Sequence, residues 1–305
     1  MSDKVKKFVL IIITACLVLV VGAGSYVWNA ATSAFGSIQE SLDRSKSEKR
    51  LEELNLDEGD PISVLLMGVD ELESRDDLGR TDTMILLTIN PSVESVNMVS
   101  IPRDTLTSIR GQATTDKISH AHALGGRETA IYTVEHFLDI PVDYYVTVNM
   151  ESFKDTVDAV GGIEVENDQE FTFHEMHYPK GTIKLDGEKA LGYSRMRHLD
   201  PDDDFGRQER QRQVMEAVME KGASISSLAN FTDILNVVED NVTTNLSLGE
   251  LWDIYSTYNA AIDEIEQHQI EGEDITKDGI YYFSPDEEKL EQLSNVLKEH
   301  LELEN

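Results

Sequence analysis

The chain has 305 residues and a formal net charge of −32, from 58 Asp and Glu against 26 Lys and Arg. So acidic a surface excludes nonspecific nucleic-acid binding, whose phosphates need a basic face, but leaves room for a local arginine cluster that takes a phosphate ligand. The single cysteine, Cys16, excludes an internal disulfide and a thiolate metal site.

Lys4, Lys6 and Lys7 precede an uncharged run from Phe8 to Trp28. About 20 helical residues cross a hydrocarbon core of about 30 Å, so this run predicts a membrane-spanning helix. Lysines before the run favour an N-terminus in the cytoplasm, and Tyr26 and Trp28 fall where the outer interface lies. The run is long for a signal-peptide core, so a retained anchor is expected over cleavage at the weak Val21-Gly22-Ala23 site. The expected layout is a cytoplasmic tip 1–7, an anchor 8–28, a helical or flexible spacer 29–60 and an extracellular domain 61–305. The protein is then a single-pass cell-membrane protein, with the lipid bilayer as a partner.

Ile62 to Val69 is an apolar run that predicts a buried strand ending in Gly68-Val69-Asp70. Thr83 to Ile89 and Ser95 to Ile101 are two more strands, and Asn90-Pro91-Ser92 between them has hairpin chemistry. Arg127 to Leu138 has helical periodicity, Tyr144 to Val148 alternates like a strand, and Met150 to Val160 predicts a helix stopped by Gly161-Gly162. After a short strand at Ile163 to Val165 come helices at Asp186 to Tyr193, Phe205 to Ser224, Ser226 to Val238 and Ser247 to Ile262. Ile280 to Phe283 predicts a strand and Asp286 to Leu303 a last helix. Strands mixed with helices throughout predict a layered α/β domain with helices on both faces.

There are twelve arginines, and several stand in short polar stretches at the ends of apolar runs. These stretches are Gly79-Arg80-Thr81-Asp82-Thr83, Ser100-Ile101-Pro102-Arg103-Asp104, Ser194-Arg195-Met196-Arg197 and Asp204-Phe205-Gly206-Arg207-Gln208. Charged residues at strand ends stand at a sheet rim, where loop-borne sites form. The planar guanidinium fork suits the many acceptor oxygens of a pyrophosphate. Arg195 and Arg197 share one side if their segment is extended, and Arg207 and Gln211 share one face of a helix. Asp70 and Asp82 are hard oxygen ligands, and one or two carboxylates with phosphate oxygens is the usual Mg²⁺ arrangement. Singly, each piece has a plain alternative as a solvated pair, a turn cap or an acidic loop, and His120-x-His122 reads as structural. Their joint occurrence is what points to phosphoryl chemistry.

The ordered set of these stretches, with Lys117-Ile118, Gly125-Gly126, Gly161-Gly162-Ile163 and Tyr193 ahead of Ser194, resembles the LytR-CpsA-Psr family over about residues 60–225. The resemblance implies a three-layer α-β-α domain around a central mixed, largely parallel sheet, with a hydrophobic pocket for a polyprenyl chain. It implies transfer of an anionic glycopolymer, of teichoic acid or capsule type, from an undecaprenyl-pyrophosphate carrier to a hydroxyl of peptidoglycan N-acetylmuramic acid. Asp70 and Asp82 are then the carboxylates associated with Mg²⁺ (or Mn²⁺). Arg80, Arg103, Arg195, Arg197 and Arg207 hold the pyrophosphate, with Gln211 near the head group. Asp70, Arg80, Asp82 and Arg103 form the catalytic set, and Asp70 has competing roles as metal ligand and as base for the acceptor hydroxyl. Hydrolysis of the same pyrophosphate is the alternative enzyme reading. A transcriptional attenuator is a third, opposed by the short tip before the anchor and by the acidity.

Overall fold

The structure, a computed structural model, describes residues 39–70, 78–197, 200, 201, 203–223, 242–258, 261 and 264–303. The expected tip, the anchor at 8–28, the first part of the spacer and the expected helix at 226–238 lie outside the described residues. Among the described residues no helix is long and apolar enough to cross a membrane.

The centre of the fold is a hairpin pair. β1 (Ile62–Asp70), β2 (Arg80–Asn90) and β3 (Ser95–Ser100) run antiparallel in sequence, with Ile62 opposite Ile89 and Asn90 opposite Ser95. The Asn90 side chain accepts from the Ser92 amide at 2.9 Å, which shapes the expected turn. β6 (Tyr144–Val148) adds parallel to β1, β11 (Val242–Thr244) adds antiparallel to β6, and β12 (Ile265–Gln269) adds parallel to β3. The sheet order is β11-β6-β1-β2-β3-β12. The sheet is mixed as expected, but it is not largely parallel: three of its five pairings are antiparallel. Short links such as Pro91–Glu94 can join only antiparallel neighbours, whereas parallel pairing needs a long crossover.

Among the described residues there are also four two-stranded sheets. They pair β4 (Leu106–Ile109) with β5 (Thr114–Lys117), β7 (Ile163–Asn167) with β10 (Gly181–Leu185), β8 (Phe171–Phe173) with β9 (Met176–Tyr178) and β13 (Gly272–Lys277) with β14 (Ile280–Pro285). The helices are α1 (His120–Leu138), α2 (Met150–Ala159), α3 (Gly187–Arg195), α4 (Asp204–Ala223), α5 (Leu248–Tyr258) and α6 (Glu287–His300). α1 is broken at Gly125-Gly126, where φ of +73° at Gly126 suits glycine. The expected start at Arg127 is the start of its second segment.

Period-two alternation sorts the sheet into two faces. Leu65, Met67, Met84, Leu86 and Val99 pack with Ile131, Val134 and Leu138 of α1 and Leu297 of α6. Ile62, Val64, Ile85, Leu87 and Met98 pack on the other face, against Leu251 and Ile254 of α5 and Met215 and Met219 of α4. Helices thus cover both faces, and each fully buried Leu, Ile or Met contributes about 1.5–3 kcal/mol. A third cluster joins α2, α3 and α4 to β7 and β10, around Phe171 stacked on Tyr178 at 4.6 Å.

The described part of the spacer, residues 39–60, is neither a long helix nor a loose tether. It contains one turn of 3-10 helix at Leu56–Glu58 and is tied down by ion pairs. Arg44 donates to both carboxylate oxygens of Glu135 (2.8 and 2.9 Å), and Arg50 donates to both of Asp143 (2.6 and 2.7 Å). Gln39 bridges Thr244 on edge strand β11.

Candidate active site

A cleft of about 300 Å³ opens between the ends of β1 and β2, the start of α2, the end of α3 and one face of α4. Its lining divides by chemistry. Asp70, Asp82, Arg103, Ser194, Arg195, Arg207 and Gln211 are polar, whereas Leu66, Ile85, Val148, Met150, Phe153, Leu191 and Met215 are apolar.

Local backbone geometry places the two carboxylates. β1 and β2 pair regularly to Gly68↔Thr83 and resume at Val69↔Thr81, so Asp82 is the extra residue of a β-bulge. A bulge re-aims a side chain. Asp82 and Thr83 therefore both line the cleft, while the Thr81 hydroxyl turns to Met84 and the carbonyl of Ser119 on the opposite face. Asp70 ends β1, and the chain returns past it at Gly79, whose φ is +80°. A Cβ at Gly79 would stand 2.9 Å from the Asp70 carbonyl oxygen, so the close return needs glycine.

The arginines converge from three elements. Arg103 follows β3, and its Nη1 lies 3.2 Å from Asp82 and its Nε 3.6 Å from Asp104. Arg207, in the first turns of α4, is 8% exposed, with Nη2 at 2.7 Å from Asp204 Oδ1. That ion pair is close but does not align as a hydrogen bond, since Asp204 Oδ1 has no such partner among the described residues. Neither Arg103 Nε nor Arg207 Nε has a hydrogen-bond partner there, although both are buried. Burial pushes the Arg207 guanidinium down, Asp204 and Asp82 oppose this, and the neighbouring cations Arg103 and Arg197 add to it. Buried donors without acceptors and cations that repel one another are both relieved by an anion.

Six of the eight sequence-predicted residues meet in the cleft: Asp70, Asp82, Arg103, Arg195, Arg207 and Gln211. Arg207 and Gln211 share the face of α4 that the spacing predicts. Arg80 stands exposed at the start of β2, opposite Asp70, and does not line the cleft. Arg197 is held outside it by Asp203, with Nε to Oδ1 at 2.6 Å. Arg195 closes α3 rather than lying in an extended strand, but buried Met196 still separates it from Arg197. His120 and His122 are structural: they contact Asp116 (2.9 Å) and the Gly79 carbonyl (3.1 Å) respectively.

The apolar wall was not legible beforehand, because Val148, Phe153, Leu191 and Met215 look on paper like any core position. Among the described residues no three Asp, Glu, His or Cys side chains converge as a metal cage. The donor set at the cleft is two carboxylates, Asp70 and Asp82. That set fits a Mg²⁺ ion that shares its shell with substrate phosphate, rather than one held by protein alone.

The sequence profile of the LytR_cpsA_psr family matches residues 25–299. The chain is 49% identical over 302 residues, covering 98% of it and 97% of the relative, to the polyisoprenyl-teichoic acid–peptidoglycan teichoic acid transferase TagU of Bacillus subtilis. It is 46% identical over 301 residues to the transferase of the same name from Bacillus licheniformis, covering 98% and 97%. The crystal structure of B. subtilis TagU superposes with a TM-score of 0.65 at 48% identity, covering 81% of this chain and 98% of that one. A structure described as TagT bound to LIIa-WTA superposes at 0.76 and 34% identity, covering 87% and 100%. With a family match over most of its length and relatives near half identity, the chain belongs to the LytR-CpsA-Psr family.

Proposed function

We propose that this protein transfers an anionic glycopolymer from a polyprenyl-pyrophosphate carrier onto peptidoglycan, as a phosphotransferase. The observation that carries the reading is the amphipathic cleft. An apolar wall from Leu66 to Met215 runs into buried arginine donors without acceptors, which is what a lipid chain ending in a pyrophosphate requires. The names of the relatives supply the polymer and the acceptor, teichoic acid and peptidoglycan.

The chemistry follows from the placement. Arg103 and Arg207 hold the pyrophosphate and offset the charge that builds as the anhydride bond breaks. An acceptor hydroxyl, on N-acetylmuramic acid in this reading, attacks the phosphorus that bears the glycan. The new P–O bond forms, the anhydride P–O bond breaks and polyprenyl phosphate leaves. The hydroxyl proton passes to a carboxylate, and Asp70, which ends β1 and lines the cleft, is assigned that role. A Mg²⁺ ion would be held by Asp82 and Asp70, with the ligand role of Asp70 competing with its role as base, and would neutralise phosphate charge. The domain is read as extracellular behind the 8–28 anchor, with undecaprenyl as the carrier lipid.

The test is transfer by the full chain in phospholipid vesicles, with a lipid-pyrophosphate-linked glycan, peptidoglycan oligomers and Mg²⁺. Covalent attachment of glycan to peptidoglycan, lowered about 100-fold or more by Arg103→Ala, is the expected result. Release of lipid phosphate with only free glycan would establish hydrolysis instead.

A further inference from the structure

The β13–β14 hairpin is joined to Asp104, the neighbour of the cleft residue Arg103, and lies in the part of the chain where no motif is legible. Its strands are joined by Asp278-Gly279 alone, with φ of +54° and +78° and Lys277 opposite Ile280. Two residues with positive φ make a tight hairpin whose twist matches its strands, so the tip is rigid. Its base is fastened to the site: the Phe283 amide donates to the Asp104 carbonyl at 2.9 Å, and Phe283 packs edge-on to Phe205 of α4 at 5.8 Å.

Two residues past Gly279, Tyr281 is 41% exposed. Its ring is nevertheless held. The hydroxyl donates to Asp274 Oδ1 at 2.7 Å, and Lys117 Nζ lies 5.7 Å from the ring centroid. Lys117 is itself fixed by Asp104 at 2.5 Å, and Asp104 lies 3.6 Å from Arg103 Nε. An unbroken line of contacts therefore runs from a phosphate-facing guanidinium to an exposed aromatic ring. It also accounts for Lys117 of the Lys117-Ile118 motif, which does not line the cleft. Burial, the Asp274 bond and the Asp104 and Asp204 charges push the phenol up, so the ring stays neutral.

We propose that Tyr281 is a stacking face for a pyranose ring held next to the pyrophosphate. A sugar presents a C–H-rich face, and the electron-rich face of an aromatic ring attracts it. A preset ring costs little entropy to engage, and Asp274 beside the hydroxyl offers an acceptor for sugar hydroxyls. Scattered exposed aromatics are ordinary on a surface. This one is distinguished by its rigid hairpin, its locked ring and its tether to Arg103. The proposal rests on the pyrophosphate reading of the cleft. The sugar comes from the donor glycan or from the peptidoglycan acceptor, and the two sources are separable.

Calorimetric titrations of the full chain in detergent decide it. The first arm compares geranyl pyrophosphate with geranyl-pyrophosphoryl-N-acetylglucosamine, and the second uses the peptidoglycan disaccharide N-acetylglucosaminyl-N-acetylmuramic acid. Each is run with wild type, Tyr281→Ala, Tyr281→Phe and Tyr281→Trp. In the arm that matches the source, Tyr281→Ala weakens saccharide binding about 5- to 10-fold, and Phe and Trp restore it to within about 3-fold, with the melting temperature unchanged. Geranyl pyrophosphate binding stays as in wild type. If saccharide binding is independent of residue 281 in both arms, or if Phe behaves as Ala does, the stacking role is overturned. Loss of geranyl pyrophosphate binding from wild type itself would instead count against the cleft reading, and the disaccharide arm then judges Tyr281 alone.

Discussion

Asp82 and Thr83 are neighbours in sequence and both face the cleft, whereas in a regular strand they would point to opposite sides. The bulge opposite Gly68 and Val69 is the cause, and it turns Asp82 towards Arg103 Nη1 at 3.2 Å. Backbone pairing therefore sets the Asp82 carboxylate against the Arg103 guanidinium.

The return of the chain at Gly79 is the weak point of that arrangement. Gly79→Ala forces a Cβ against the Asp70 carbonyl at a φ that other residues avoid. A loss of about 1–3 kcal/mol in stability is expected, with a larger loss of transfer activity because Asp70 moves. Urea denaturation beside a transfer assay separates the two, and unchanged values in both would contradict the geometry.

Pyrophosphate should stabilise the fold by engaging the arginine Nε donors. At 100 times its dissociation constant a ligand adds about 2.7 kcal/mol, visible as a raised melting temperature. Arg207→Lys keeps the charge but loses the Nε–H and the fork, so the pyrophosphate-induced shift should shrink substantially. An undiminished shift would place the anion elsewhere.

The strap of residues 39–50 is expected to be part of the folded unit. Glu135 is 5% exposed and accepts from Arg44, Ser47 and the Val142 amide. Removing its carboxylate in Glu135→Ala leaves the largely buried Arg44 without its counter-ion, with only the Val142 carbonyl among the described residues still accepting from it, at a cost of about 3 kcal/mol or more. Chemical denaturation of the full chain measures this; a cost below about 1 kcal/mol would mean that the strap docks loosely.

Stability should also fall in mild acid. The His300 ring lies between the Thr88 and Ser95 hydroxyls, and burial holds its pKa below the ordinary 6.5, with His268 adding to this and Glu266 and Glu302 opposing it. The unfolded chain binds the proton more readily, so this contribution is fully present above pH 6.5 and is lost as pH drops through the lower folded value. His300→Gln should flatten the melting-temperature profile over that window, and an unaltered slope would point to other groups.

The sequence by itself determined the local pieces. Apolar runs and turn residues marked β1, β2, β3 and β6, the helical segment from Arg127 to Leu138 and the long α4, because strand and helix periodicity are local properties. The arginine stretches and Asp70 were legible for a related reason: charge at the end of an apolar run stands out against it. The short hairpins β4–β5 and β8–β9 and the strand β13 were not legible, since strands of three to six residues with mixed polarity leave little period to read, whereas β14 answers the strand expected at Ile280 to Phe283.

Only the tertiary structure decided how these pieces combine. The short link between β2 and β3 fixes their pairing locally, but which strands β6, β11 and β12 join is a long-range choice. The bulge at Asp82 depends on register between two strands, so no inspection of β2 alone reveals it. The apolar wall is chosen from ordinary core residues by which face of α2, α3 and α4 meets the sheet edge. The separation of Arg80 and Arg197 from the cleft, and the approach of Tyr281 to Arg103 through Lys117 and Asp104, likewise arise only when distant segments pack. Side chains far apart in sequence carry no mark of one another until the chain has folded.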